Sequence, residues 1–117
     1  MTVAEAQGRV DAYIGQFEEG YFPPLAMLAR LTEELGELAR EVSHEYGLKP
    51  KKPDEAEGSV AEELGDLFFV LVCFANAVGV DLDQALSTVL EKYRVRDANR
   101  WTRRSAGASD PEDQDGP

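Results

Sequence analysis

The strongest constraint on the fold is an apolar run from Leu67 to Ala75, which directly follows an acidic segment. Ser59 and Glu62 stand in capping-box register before this run, and they predict a helix that continues through it. Because this helix is apolar on every side, it must be buried on more than one face. A chain of 117 residues offers few elements to surround it. The run therefore predicts a core helix that is covered in part by a second copy of the chain.

Three further helices are predicted from apolar residues at helical spacing. The first covers residues 2–18, the second about Pro24–Tyr46 and the fourth about Leu82–Trp101. The second carries a narrow apolar stripe suited to packing against another helix, formed by Leu28, Leu31, Leu35, Leu38 and Val42. The predicted fold class is all-α, an antiparallel helical bundle of about four helices with an oligomeric core.

The length of the chain predicts one domain, which we place at residues 1–104. A hydrophobic content of 43% is typical of a globular protein with a real core. Residues 105–117 are rich in Ser, Asp, Gly and Pro and have no apolar periodicity. They predict a disordered acidic tail.

The charge of the chain excludes some classes of partner. The net charge is −11 and the sequence pI about 4.4, which argues against binding a nucleic acid polymer or an anionic membrane. The N-terminus has no secretory pattern, and the longest apolar run is too short to span a bilayer. With a single cysteine, Cys73, no intramolecular disulfide can form. We expect a soluble cytoplasmic protein.

Two near-identical acidic signatures lie in the second and third predicted helices. They read E-L-G-E from Glu34 to Glu37 and E-L-G-D from Glu63 to Asp66. Residues three apart on a helix are neighbours, roughly 5–6 Å between Cβ atoms, so each helix offers a pair of carboxylates. Two facing pairs would supply the hard oxygen ligands that suit Mg²⁺ or Mn²⁺. The ordinary alternative is a solvated acidic face, since the chain has 23 acidic residues.

The glycine within each signature favours a metal site over a solvated acidic face. Glycine in a helix interior costs about 0.8–1 kcal/mol relative to alanine, so helix propensity does not explain it. We interpret Gly36 and Gly65 as positions where another helix or a ligand comes close.

Other residues are candidates for contacts with an anionic ligand. Half of the 12 basic residues lie between positions 92 and 104, and Lys92 and Arg96 share a face there, suited to clamping phosphate. The ordinary explanation is a favourable interaction with the helix dipole. Phe17 and Tyr21 precede the acidic helix and are candidate substrate contacts, although a core role is the commoner one. The loop at residues 48–58 is a linker or a lysine-bearing lid.

Taken together, these motifs resemble the MazG-type nucleotide pyrophosphohydrolases of the all-α NTP pyrophosphatase superfamily, whose signature is E-x-x-E followed by E-x-x-D. The resemblance covers about residues 10–104. It implies Mg²⁺-dependent hydrolysis of a (d)NTP to the monophosphate and pyrophosphate, as clean-up of the nucleotide pool. It also implies that Glu34, Glu37, Glu63 and Asp66 ligate the metal.

The remaining roles are expectations of the same kind. Lys92 and Arg96 match the family's basic positions by type and approximate place. Glu34 is the carboxylate we expect to accept a proton from the attacking water. The expected partners are a nucleoside triphosphate and further copies of the chain, in a homodimer or homotetramer.

Two alternatives stay open at the level of the sequence. The first is a base-selective member of the same scaffold, of the dUTPase or dCTPase kind. The second is a non-catalytic helical dimerisation module whose acidic residues are plain surface.

Overall fold

A computed structural model describes residues 1–47, 52–53 and 58–105 of the chain. These residues form four helices, α1 (Val3–Gly15), α2 (Pro24–Tyr46), α3 (Val60–Val78) and α4 (Leu82–Asp97), and contain no strand. The all-α prediction is confirmed. Most of the predicted loop at 48–58, and the predicted tail beyond Ser105, lie outside the described residues.

The helix ends follow from local capping chemistry. Thr2 caps α1 through a reciprocal capping box with Glu5, and the Ser59 side chain accepts a hydrogen bond from the Glu62 N–H, 3.0 Å long, at the start of α3. α3 continues past the apolar run and stops at Gly79, whose φ of 73° is the left-handed conformation that favours glycine. α1 and α4 both end earlier than the sequence predicts, at Gly15 and Asp97.

The chain divides into two compact units. The first extends from Met1 to Asp83 and contains α1, α2 and α3, and the second begins at Gln84 and contains most of α4. The two acidic signatures both lie in the first unit, so the arrangement of α2 against α3 decides where the carboxylates meet.

The core of the first unit is built around α3, as its sequence predicts. Both α2 and α1 pack against this helix. The buried apolar side chains among the described residues are Met27 on α2 and four on α3, namely Val70, Val72, Cys73 and Ala75. Other apolar side chains of α3 stay partly exposed, with Phe68 at 47%. No single helix in the described part of the chain is long and apolar enough to cross a membrane.

The neighbours of α3 both run antiparallel to it. On α2, Glu34 lies near Glu63 and Asp66, whereas Glu41, two turns later, lies against Gly58 before α3 begins. Residue numbers therefore rise along α2 as they fall along α3. In the same way, α1 brings Gln7 to Asn76 and Tyr13 to Phe69.

A polar cluster, which we call the amide network, ties α1 to the C-terminal end of α3. The Asn76 amide donates to the Gln7 carbonyl and to the Tyr21 hydroxyl, both at 3.0 Å, and accepts from Gln7 Nε2 at 2.9 Å. The Gln7 side chain also donates to the Val80 carbonyl and accepts from the Leu82 N–H. Asn76 thus joins segments that are distant in the sequence.

Candidate metal centre

Three carboxylates converge where α2 meets α3. Glu34, Glu63 and Asp66 each offer one oxygen, and these oxygens all lie within 4.8 Å of one another. Glu34 and Glu63 are partly buried, and Asp66 is exposed. Ionised carboxylates are acceptors only, so they cannot satisfy one another. Such a donor set fits a hard divalent cation such as Mg²⁺ or Mn²⁺.

Helical spacing and the apolar seam put these side chains in place. Leu31 and Leu38 of the α2 stripe are partly buried, and Glu34 lies between them along the same helix. Glu63 and Asp66 lie one turn apart on α3, with Glu63 in its first turn. Because α2 and α3 pack antiparallel, Glu34 of α2 lies beside Glu63 and Asp66 of α3.

The glycines of the two signatures have a different surrounding from the one we predicted. A Cβ built at Gly36 or at Gly65 would meet no other atom within 4 Å among the described residues. Close packing between helices of this chain therefore does not require either glycine. The approach of a ligand, or of a helix from another copy, stays a prediction.

The carboxylate cluster brings several negative charges together, and this affects the pKa of Glu63. The pKa of Glu63 is raised above its ordinary value, first by desolvation and then by the negative charges of Asp66, Glu37, Glu34 and Glu41. A carboxylate in this position holds its proton more readily than one in water does. A divalent cation would reverse the effect, because it favours the ionised form.

Glu37, the fourth carboxylate predicted as a ligand, lies outside the cluster of three. Its side chain is exposed and accepts two hydrogen bonds from Arg40 Nη2, at 3.1 and 3.2 Å. Its charge nevertheless acts on Glu63. Glu37 thus lies one turn beyond Glu34, beside the cluster and paired with a cation.

Glu41 continues the same flank of α2 toward the start of α3. A Cβ on Gly58 would lie 2.9 Å from Glu41 Oε1, so the glycine is what lets this carboxylate approach the backbone there. The contact between Glu41 and Gly58 was not predicted from the sequence. Only the pairing of the two helices creates that contact.

Arg30, which lies one turn before Glu34 on α2, was not predicted from the sequence. Its Nε is 3.4 Å from Glu34 Oε1. The signal was available, because residues four apart on a helix are neighbours and opposite charges there attract. Arg30 therefore brings a positive charge to the edge of the carboxylate cluster.

Phe17 and Tyr21, the candidate substrate contacts, have internal partners. The Tyr21 hydroxyl donates to Asp11 at 2.7 Å, and burial followed by this bond raises the pKa of Tyr21. Phe17 is half exposed and meets the Tyr13 ring edge to face at 5.6 Å. Tyr21 thus belongs to the amide network, and a substrate role for either residue stays a prediction.

Lys92 and Arg96 lie in the second unit, on α4. Both reach the Tyr93 ring, at 5.1 and 4.4 Å from its centroid, and Arg96 also donates two hydrogen bonds to Asp97. The predicted sharing of a face is consistent with their common contact with Tyr93. Their role toward phosphate stays a prediction.

Comparison with known proteins gives consistent matches. Residues 22–101 match the model of the MazG nucleotide pyrophosphohydrolase domain, a span that includes both acidic signatures. The chain is 58% identical over 106 residues to the uncharacterized protein YpjD of Bacillus subtilis (strain 168), covering 91% of this chain and 96% of YpjD.

Solved structures agree with the family match. The crystal structure of the Bacillus-conserved MazG protein, a nucleotide pyrophosphohydrolase, matches with a TM-score of 0.73 and 54% identity, over 86% of this chain and 97% of that one. The crystal structure of iMazG from Vibrio DAT 722 matches with a TM-score of 0.56 and 33% identity, over 79% and 99%. The expectation of an enzyme is confirmed, and the alternative of a non-catalytic module loses its support. The chain belongs to the MazG nucleotide pyrophosphohydrolase family and is a hydrolase acting on the anhydride bonds of nucleotides.

Proposed function

We propose that this protein hydrolyses nucleoside triphosphates, of the ribo or deoxyribo series, to the monophosphate and pyrophosphate in a Mg²⁺-dependent reaction. The observation that carries the proposal is the convergence of Glu34, Glu63 and Asp66 on paired helices, in a chain of the MazG family. The solved neighbour described as a nucleotide pyrophosphohydrolase supports the same reaction.

In this proposal Glu34, Glu63 and Asp66 hold the metal, and Glu37 is the fourth ligand. The metal-ligating atoms of the cluster are all oxygens, and desolvation followed by nearby negative charges raises the pKa of Glu63. Both properties favour a divalent cation over a neutral ligand. When bound, Mg²⁺ or Mn²⁺ supplies Lewis acidity to phosphate oxygens and lowers the pKa of a bound water.

The protein's own residues supply proton transfer and charge. Glu34 accepts a proton from the attacking water, whose oxygen bonds to the α-phosphorus. The bond from that phosphorus to the bridging oxygen breaks, and pyrophosphate leaves. Lys92 and Arg96 bind the phosphate chain, and Phe17 and Tyr21 contact the nucleoside. We base these four contacts on residue type and position along the sequence.

We also propose that the enzyme works as a homodimer or homotetramer. Leu64, Phe68 and Leu71 lie on one face of α3 and are exposed at 50%, 47% and 40%. On α2 the alternate members of the apolar stripe, Leu28, Leu35 and Val42, are exposed as well. Apolar faces of this kind are typical of interfaces. Light scattering should give a mass of two or four chains for the wild type, and Phe68→Glu should lower it.

The substrate class also suggests where the protein works. Nucleoside triphosphates are the pool that such an enzyme would clean, and we therefore propose the cytoplasm as its location. Base-selective hydrolysis of the dUTPase or dCTPase kind is a narrower form of the same activity.

The decisive experiment measures products from a panel of NTPs and dNTPs with Mg²⁺, with Mn²⁺ and with EDTA. We expect metal-dependent release of pyrophosphate with the matching monophosphate. The panel also ranks the bases and so decides whether the enzyme is selective. Release of orthophosphate would overturn the assigned bond, and turnover that persists in EDTA would overturn the metal requirement.

A further inference from the structure

Arg30 is a cation at the edge of the carboxylate cluster that no step of the proposed reaction uses. Its side chain is 50% exposed, whereas that of its partner Glu34 is only 16% exposed. The distance of 3.4 Å between Arg30 Nε and Glu34 Oε1 is long for a charge-assisted hydrogen bond. A guanidinium has five N–H donors, so this one contact leaves most of them available for another anion.

The guanidinium acts on α3 as well as on its own helix. Cys73 is buried on α3, two turns beyond Asp66. Burial raises the pKa of the Cys73 thiol, and the charge of Arg30 opposes that shift. The charge of Arg30 is therefore felt on α3 as well as on α2.

We propose that Arg30 binds the phosphate chain of the nucleotide and that, without nucleotide or metal, it partly neutralises Glu34. This role rests on the proposed function, since it takes the three carboxylates as the metal site. The guanidinium presents paired donors in a plane that matches two phosphate oxygens, which a lysine ammonium cannot do.

The exchange of partners follows from charge. Arg30 is half exposed and its contact with Glu34 is long, so little free energy holds the two side chains together. A divalent cation in the carboxylate cluster would neutralise the charge of Glu34, and the attraction between Glu34 and the Arg30 guanidinium would then fall further. A triphosphate carries several negative charges and accepts stronger, charge-assisted bonds, so Arg30 then pairs with the substrate.

The test compares Arg30→Gln and Arg30→Lys with Arg9→Gln, which removes the same charge from an exposed position on α1. Three quantities are measured: calorimetric affinity for Mn²⁺ without nucleotide, calorimetric affinity for inorganic pyrophosphate with Mn²⁺ present, and KM and kcat for the best nucleotide. For Arg30→Gln we expect KM to rise and pyrophosphate affinity to fall by about tenfold, as for the loss of a charge-assisted hydrogen bond. Mn²⁺ affinity should stay unchanged or rise slightly, because a competing cation is gone.

The lysine variant separates recognition from charge. Arg30→Lys keeps the charge but not the planar pair of donors, so it should recover only part of the pyrophosphate affinity. The role of Arg30 is overturned if Arg30→Gln matches Arg9→Gln in pyrophosphate affinity and KM, or if its Mn²⁺ affinity falls as much as its pyrophosphate affinity. A wild type that binds no metal and hydrolyses no nucleotide would instead overturn the proposed function.

Discussion

The two ends of α3 carry polar clusters of opposite character. Near Asn76, the amide network pairs donors with acceptors from α1, the Tyr21 hydroxyl and the backbone after α3. Near Glu63, the cluster of Glu34, Glu63 and Asp66 contains acceptors only. The first cluster pairs its donors with acceptors inside the chain, whereas the carboxylates of the second have one cationic neighbour, Arg30, among the described residues. Residue polarity alone does not separate a structural cluster from a functional one, whereas the balance of donors and acceptors does.

The difference has an energetic consequence. A satisfied network between helices stabilises the fold, because breaking it leaves polar groups without partners. In the carboxylate cluster the ionised form of Glu63 is disfavoured, because desolvation first and then the neighbouring negative charges raise its pKa, and this opposes folding of the metal-free protein at neutral pH. Such local conflict is expected where a protein binds a ligand.

Glu63→Gln should have the largest effect on activity. Loss of the charge should lower kcat/KM by at least about 100-fold, since even outer partners of metal ligands typically contribute 10–100-fold. In EDTA the variant should melt at or above the wild-type temperature, because the repulsion is relieved. Pyrophosphate release and thermal melting with and without Mg²⁺ check both parts.

The matched control is Glu62→Gln, one position earlier and exposed. Its backbone N–H still donates to Ser59, so helix capping is unchanged. We expect its activity to stay within about twofold of the wild type, as for most surface substitutions. Equal losses in the two variants, or full activity of Glu63→Gln, would remove the metal assignment.

Asn76→Ala should have the largest effect on stability and little on metal binding. The substitution removes three partly buried hydrogen bonds that join Asn76 to Gln7 and Tyr21. Its expected cost is about 2–3 kcal/mol in the free energy of unfolding. Urea denaturation measures that cost, and calorimetry with Mn²⁺ should give wild-type affinity.

Asn99→Ala serves as the control, since Asn99 is exposed after α4. It should change the free energy of unfolding by less than about 0.5 kcal/mol. If Asn76→Ala instead weakened Mn²⁺ binding while sparing stability, the distinction between the two ends of α3 would not hold.

Gly58→Ala should have a smaller effect than Glu63→Gln or Asn76→Ala. We expect it to change metal binding at the carboxylate cluster and not the stability of the fold. The new methyl group would displace the far end of the flexible Glu41 side chain, and the backbone of Gly58 is not left-handed, so stability should change little. Moving a negative charge away from Glu63 should weaken Mn²⁺ binding by about two- to threefold. Calorimetry of Gly58→Ala, Glu41→Gln and the double variant checks this, because the double variant should be no weaker than Glu41→Gln alone. If the losses in Mn²⁺ affinity of the two single variants add up in the double variant, Gly58 does not act through Glu41.

The smallest effect concerns pH in the metal-free protein. The pKa of Glu63 is higher in the folded state than in the unfolded state. Glu63 therefore contributes favourably to the free energy of unfolding below the ordinary carboxyl pKa, and this contribution is lost as pH rises through the raised pKa. The melting temperature of Glu63→Gln minus that of the wild type, in EDTA, should therefore be near zero in acid and grow toward neutral pH. A difference in melting temperature that does not change with pH would contradict the raised pKa of Glu63 as its cause.

Saturating Mg²⁺ should reverse that difference. The cation stabilises only a cluster that can bind it, by an amount that grows with the ratio of its concentration to its Kd. The wild type should then melt above Glu63→Gln at neutral pH.

Much of the fold follows from local rules that a sequence carries in full. The stripe on α2 and the cap at Ser59 depend on residues within a few turns, so the bounds of α2 and the start of α3 are predicted well. The ends of α1 and α4 are less accurate, because helix ends are settled by weak competing hydrogen bonds. The roles of Asn76 and Tyr21 were not predictable, because their partners are distant in sequence.

The sequence by itself determined the all-α class, the central helix and the paired acidic signatures, because periodicity and spacing are local properties. Only the tertiary structure decided which carboxylates meet: Glu34, Glu63 and Asp66 converge, while Glu37 turns to Arg40. Only it placed Glu41 against Gly58. The physical reason is that the register and facing of two antiparallel helices are set by side-chain packing across the whole interface.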